Sequence, residues 1–235
     1  MKLYDAHCHL SGAACHTVVL NGSCPADWLK VVRFAQKDPP LIIPAIGLHP
    51  WQVQDAPSDW RTSFQQQIDS AKAVGEIGLD QWIEGYDIER QQAAFSWQLE
   101  QAVQRNLPVS IHCLKASNSL LRILKTQPCP KRGIHLHAYS GSAEQVSHFA
   151  QWDAYFSFHA GQLGDRAKKA PAALQAVPID RLLIESDAPD TIPSGEDHAT
   201  FLLRGYQRAA ELRGLTVEAL AEQVAANFKR YFLYD

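Results

Sequence analysis

Two histidines stand two residues apart near the start of the chain, His7 and His9 in the run DAHCHL. Side chains along an extended strand alternate between faces, so these imidazoles point the same way and Cys8 points opposite. Two imidazoles on one face are a ready chelate for a metal ion. Four further metal-competent residues lie in short apolar runs or end them: Glu76 in GEIGLD, His112 in SIHC, His137 in HLHAYSG and Asp187 in IESDAP. Four imidazoles and two carboxylates are too many ligands for one tetrahedral ion. They suit two ions roughly 3.5–4 Å apart, with Glu76 placed to bridge them, as in a two-metal hydrolytic centre. Each piece alone is weak, since a lone buried histidine is more often a hydrogen-bonded core residue. The weight lies in coincidence of place.

Apolar, β-branched runs that could position these residues recur at 2–8, 17–22, 41–48, 73–79, 108–113, 133–139, 155–160 and 182–187, each of strand length. Helix-like stretches separate them at 25–37, 58–72, 87–106, 117–126, 143–151 and 165–176, and two more follow at 199–213 and 216–232. Eight strands alternating with helices predict an α/β chain folded as one (β/α)8 barrel, a single domain over 1–235, with chemistry at the carboxyl ends of the strands. SGAACHT, between the first two strands, is too short for a normal helix, so the first helix is expected to be missing or vestigial. A doubly wound open sheet would alternate similarly but would want a glycine-rich phosphate turn, and no GxGxxG occurs.

The net charge of −3 gives no global basic field to attract nucleic acid. The five cysteines form no CxxC pair and are odd in number, which argues against a disulfide framework and for a reducing cytoplasm. MKLYDAHCHL lacks a signal-peptide core, and no apolar run approaches the roughly 18 residues of a membrane span. The expectation is a cytoplasmic protein without membrane contact; oligomeric state is not legible.

DAHCHL, AIGLHPW, GEIGLD, the run from ERQQAAF to SIHC, HAYSGS, ESDAP and AANFKRYF, in this order, resemble the TatD family of metal-dependent hydrolases over nearly the whole chain. The resemblance implies a barrel with a binuclear centre in an enzyme of deoxyribonuclease type. It would place one ion on His7, His9, Glu76 and Asp187, and another on Glu76, His112 and His137. The family usually has an arginine after the strand-five His-Cys, where this chain has Leu114 followed by Lys115. Lys115, next door, is a candidate substrate contact, though adjacency in sequence does not require it to point the same way. The loop after ESDAP reads DTIPSGEDHAT, short and acidic where the family carries basic residues. The metal residues are intact, while the phosphate-binding surroundings are thinned.

His49 in GLHPW is either a contact to substrate or ligands, as the resemblance implies, or a turn histidine before Pro50. Glu185 shares a face with Asp187 and either fixes the tautomer of a ligand histidine or forms an interior ion pair. His135 reads as a packed barrel residue one layer below His137, and Cys8 and Cys113 as packing residues. The expected reaction is hydrolysis by water activated on two divalent ions, Zn, Mn or Mg, with Asp187 and Glu76 as the catalytic carboxylates. DNA is the leading substrate. A small phosphoester, amide or aminoacyl ester, or a metal-bearing subunit of a larger system, is the alternative.

Overall fold

The computed structural model describes residues 1–10, 17–36 and 41–233. Eight parallel strands form one sheet in chain order: β1 (Tyr4–Cys8), β2 (Thr17–Gly22), β3 (Ile42–Ile46), β4 (Ala73–Asp80), β5 (Val109–Leu114), β6 (His135–Leu136), β7 (Tyr155–Phe158) and β8 (Leu182–Ile184). The helices are α1 (Pro25–Ala35), α2 (Trp60–Gln67), α3 (Ile88–Arg105), α4 (Ser117–Thr126), α5 (Ala143–Val146), α6 (Lys169–Ala176), α7 (His198–Arg213) and α8 (Val217–Phe232). The expected missing first helix falls on residues 11–16, which lie outside the described residues. Two bonds close the barrel between β1 and the chain leaving β8. Asp187 N donates to His7 O at 2.9 Å, and His9 N donates to Ala188 O at 2.7 Å.

The strands bury both faces, as a parallel sheet sheathed in helices must. Trp28, Phe64, Phe95, Phe149 and Phe228 are wholly buried in the packing that results. The stripe on α3 does more than pack. Gln91 Oε1 accepts from Asp80 N at 2.8 Å, and Gln98 Oε1 accepts from Leu48 N at 2.6 Å. Two glutamines seven positions apart thus pin two loops at the barrel's carboxyl rim. Asp87 caps α3 by accepting from Arg90 N, and Asn106 ends it in the left-handed region at φ 52°.

Tyrosines tie the barrel's other end to its last helices. Tyr206 Oη donates to Tyr4 O at 2.7 Å and accepts from Tyr4 N. Tyr231 Oη does the same for Val109 O, at 2.7 Å, and Val109 N. Tyr231→Phe strands a buried donor and acceptor on β5. The expected cost is about 1–3 kcal/mol, read as a Tm lower by about 2–4 °C per kcal/mol at this chain length.

The strands expected over 133–139 and 182–187 are shorter in the structure. Beyond β6 and β8 the backbone turns left-handed, at Ala138 (φ 41°) and Asp187 (φ 53°). Side chains have taken the backbone donors there: Ala138 N gives to Glu185 Oε1 at 2.8 Å, and Ser186 N to Asp5 Oδ1 at 2.9 Å. Similarly, α5 covers only four residues before a 3₁₀ segment takes over at Ser147–Trp152. Gly78, at φ 152°, lets β4 lie tight on β5, since a Cβ there would sit 1.9 Å from His112 O.

Candidate metal centre

All six sequence-selected metal residues meet at one rim. His7 Nε2 and His9 Nε2 are 3.3 Å apart and lie 3.4 and 3.2 Å from Glu76 Oε2. Asp187 Oδ1 lies 4.0 and 3.9 Å from the same two nitrogens. On the other side, Glu76 Oε1 lies 2.9 Å from His112 Nδ1 and 2.7 Å from His137 Nε2, which are 3.3 Å from each other. Ligands of a tetrahedral ion at about 2.0–2.2 Å would be about 3.3–3.6 Å apart. The first group has that spacing, with Asp187 slightly withdrawn. The second is tighter, at hydrogen-bonding distance. Each oxygen of Glu76 faces its own donor group, as a bridging carboxylate requires.

The outer edges of the rings support this orientation. His9 Nδ1 contacts Asn21 O at 3.1 Å and His7 Nδ1 contacts Ser110 Oγ at 2.8 Å. His112 Nε2 contacts Asp80 Oδ2 at 3.0 Å, and His137 Nδ1 faces Glu185 Oε1 at 3.5 Å. An acceptor behind the ring holds the proton on that nitrogen and leaves the other nitrogen's lone pair for a cation. The residues therefore fit two divalent ions.

His49 stands beside the six with a proton, not a lone pair, turned toward Glu76. Its Nε2 lies 3.1 Å from Glu76 Oε1, and His49, Glu76 and His112 present atoms close enough to hold an ion. Yet its Nδ1 accepts from Trp51 N at 3.1 Å. A backbone N–H only donates, so Nε2 carries the ring proton and is a donor. Lys115 is exposed and lies outside the residues that line the cavity above the centre. Glu185 is buried, with Oε1 3.5 Å from His137 Nδ1. His135 is buried one layer down, between Ser110 and Ser157.

Burial alone would raise Glu76, but the imidazoles of His49, His137 and His112 around it hold it well below the ordinary carboxylate range. Burial opposes charge on His9 too, and the Glu76 contact overcomes it, bringing His9 to about 9. His137 is likewise raised against burial, by Glu76 and Glu185. Burial and then His137 lower His7, while burial depresses His49 and His135. Asp187 goes the other way: burial, with Glu185 and Glu76 nearby, raises it to about 7 despite His137. Burial pushes Cys113 up to about 12 and Cys8 well above the ordinary thiol range, so neither is a ready nucleophile.

Asp80 serves both its own loop and the ring of His112. It accepts from Trp82 N at 2.7 Å and Ile83 N at 3.1 Å. Its other oxygen takes Trp51 Nε1 at 2.7 Å and orients His112. Against its burial, these bonds, His112 foremost, bring it to about 2. Its mark in the sequence is period: Glu76, Gly78 and Asp80 share one face of β4.

The cavity above the centre measures ≈ 680 Å³. Trp51 and Trp82 line it and are largely exposed. Asp27 and Asp190 also line it, and among the described residues no lysine or arginine does. No helix among the described residues is long and apolar enough to cross a membrane.

Residues 4–233 match the TatD related DNase family. The metal-dependent hydrolase YabD of Bacillus subtilis is 30% identical over 199 residues, 82% of this chain and 78% of its own. The 3'-5' ssDNA/RNA exonuclease TatD of Erwinia tasmaniensis is 27% identical over 227 residues, 92% of this chain and 87% of its own. The crystal structure of YjjV, a TatD homologue from Escherichia coli K12, superposes with a TM-score of 0.89 at 25% identity, covering 99% of this chain and 98% of that one. The chain belongs to the TatD related DNase family and is a metal-dependent hydrolase.

Proposed function

We propose that the chain hydrolyses phosphodiester bonds of single-stranded nucleic acid with two divalent ions. His7, His9, Glu76 and Asp187 would hold one ion, and Glu76, His112 and His137 would hold the other. The observation that carries this is the division of Glu76, one oxygen to each donor group. Divalent ions bound there supply Lewis acidity for the developing oxygen charge and water acidic enough to attack near neutral pH. The imidazole-rich shell favours Zn or Mn, and the carboxylates keep Mg in play.

The chain's own groups do the rest. Asp187, the outlying carboxylate, takes the proton of the attacking water. His49 Nε2–H donates into the site and stabilises an oxygen that gains charge. Trp51 and Trp82 offer exposed ring faces on which unpaired bases stack. The relative named as an ssDNA/RNA exonuclease supports the nucleic-acid substrate.

One observation favours a second reading. Among the described residues the cavity carries Asp27 and Asp190 and no lysine or arginine to meet flanking phosphates. A substrate with one phosphate at the ions, or a neutral or cationic aminoacyl ester, fits it equally well. Metal analysis with a substrate panel decides. We expect chelator-sensitive cleavage of single-stranded DNA and of a nitrophenyl phosphodiester, with duplex DNA slower. No phosphodiester cleavage with Zn, Mn or Mg would overturn the nuclease reading, and turnover of an aminoacyl ester alone would establish the second one.

A further inference from the structure

Below the centre, five wholly buried side chains form one continuous hydrogen-bonded file across the barrel interior. His7 Nδ1 contacts Ser110 Oγ at 2.8 Å, and Ser110 Oγ contacts His135 Nδ1 at 3.3 Å. His135 Nε2 contacts Ser157 Oγ at 2.6 Å, and Ser157 Oγ donates to Glu185 Oε2. The other oxygen of Glu185 accepts from Ala138 N at 2.8 Å and faces His137 Nδ1 at 3.5 Å. The file thus starts behind one histidine of the centre and ends behind another.

Its members have few ways to share their protons. A carboxylate only accepts, a serine hydroxyl has one proton, and a neutral imidazole has one donor and one acceptor nitrogen. Glu185 takes the Ser157 proton, so Ser157 must accept from His135 Nε2–H. His135 Nδ1 is then bare and accepts the Ser110 proton. Ser110 is left to accept from His7 Nδ1–H, which leaves His7 Nε2 with a lone pair aimed at the centre. The opposite order would turn the oxygen lone pairs of Ser157 onto the Glu185 carboxylate. One anion therefore dictates the polarity of every bond in the file.

We propose that Ser110, His135 and Ser157 are positioning residues that transmit the charge of Glu185 to His7, so that a buried carboxylate four hydrogen bonds away sets the metal-binding tautomer of His7. The file opposes a competing pull. Glu76 Oε2 lies 3.4 Å from His7 Nε2 and, with no ion between them, draws the His7 proton to that nitrogen. The proposal rests on the metal-centre reading only for its consequence; the proton order belongs to the metal-free protein.

The test takes the full chain after chelation. A proton–nitrogen correlation spectrum of nitrogen-labelled protein distinguishes protonated from bare ring nitrogens. Wild type should show His7 protonated at Nδ1 and His135 at Nε2. In Ser157→Ala the file is cut from Glu185, and the His7 proton should move to Nε2. Titration with Zn²⁺ or Mn²⁺ alone should then give about 10- to 100-fold weaker binding, the usual penalty for losing the group behind a ligand histidine. Ser157→Thr, which keeps the hydroxyl, should restore both. A wild-type spectrum with His7 protonated at Nε2 overturns the proposal even if the variants do not fold, as does an unchanged tautomer in Ser157→Ala. The correct tautomers without binding of either metal would instead defeat the metal-centre reading and leave the file standing.

Discussion

Glu76→Gln is expected to abolish hydrolysis and empty the centre. Both oxygens of Glu76 are in use, one toward His7 and His9 and the other toward His49, His112 and His137. Glutamine keeps the shape but removes the charge, and its amide nitrogen brings protons to one of the two positions. Removing one partner of a buried charged set costs about 3–5 kcal/mol, or about 10²–10⁴-fold in a rate or affinity. Elemental analysis should show less than one ion per chain, and phosphodiester cleavage should fall by at least the lower figure. The metal-free variant should also be less stable than metal-free wild type near neutral pH. His9, raised to about 9, and the raised His137 hold protons there that Glu76 neutralises. Two ions retained in an active Glu76→Gln protein would show that Glu76 does not bridge.

Periodicity is what makes the architecture legible in the sequence. The alternation of short β-branched runs with longer amphipathic ones points to the barrel, because strand and helix periods differ and the doubly wound alternative lacks its glycine-rich turn. Placing chemistry at strand ends then brought His7, His9, Glu76, His112, His137 and Asp187 together without knowledge of a single contact. What stayed hidden needed atomic direction. GLHPW leaves His49 open between a turn residue and a site residue, and only the bond from Trp51 N shows that it donates. Lys115 is close to the site in sequence but does not line its cavity. Its left-handed backbone, φ 53°, ends β5 and leaves the side chain outside the cavity lining.

The hidden layer did leave a trace. Ser110, His135, Ser157 and Glu185 each stand two residues before His112, His137, His159 and Asp187. Period two puts them on the same inward face one layer deeper, where barrel interiors are usually filled by branched apolar side chains. Four polar residues in that layer form a pattern, although each alone reads as an ordinary strand residue. Their cost underground is met by the bonds of the file, since buried polar groups persist only when satisfied.

Asp187→Asn should separate activity from stability, in opposite directions. The two carboxylates of the centre live in contrary surroundings. Glu76 is held ionised by imidazoles, while Asp187, buried near Glu185 and Glu76, rises to about 7 in the metal-free protein. Its charge therefore disfavours the metal-free fold. A group whose folded pKa lies above its unfolded value gives stability that is present below the unfolded pKa and lost as pH rises through the folded one. At pH 8 the metal-free Asn variant, with no charge to bury, should melt above wild type, each ~1 kcal/mol being worth about 2–4 °C. At pH 5 the gap should shrink, because wild-type Asp187 is then mostly protonated. Metal binding runs the other way. An ion needs the carboxylate, so wild-type affinity should climb through pH 7 and further toward 9 as His9 gives up its proton. The variant should keep only the part due to His9 and the other histidines. Cleavage should fall by about 10²–10⁴-fold even at saturating metal, the loss expected when a positioned base is removed. A variant that melts below wild type at pH 8 would show that Asp187 is not the strained charge, and one that cleaves at the wild-type rate once loaded would show that it is not the base.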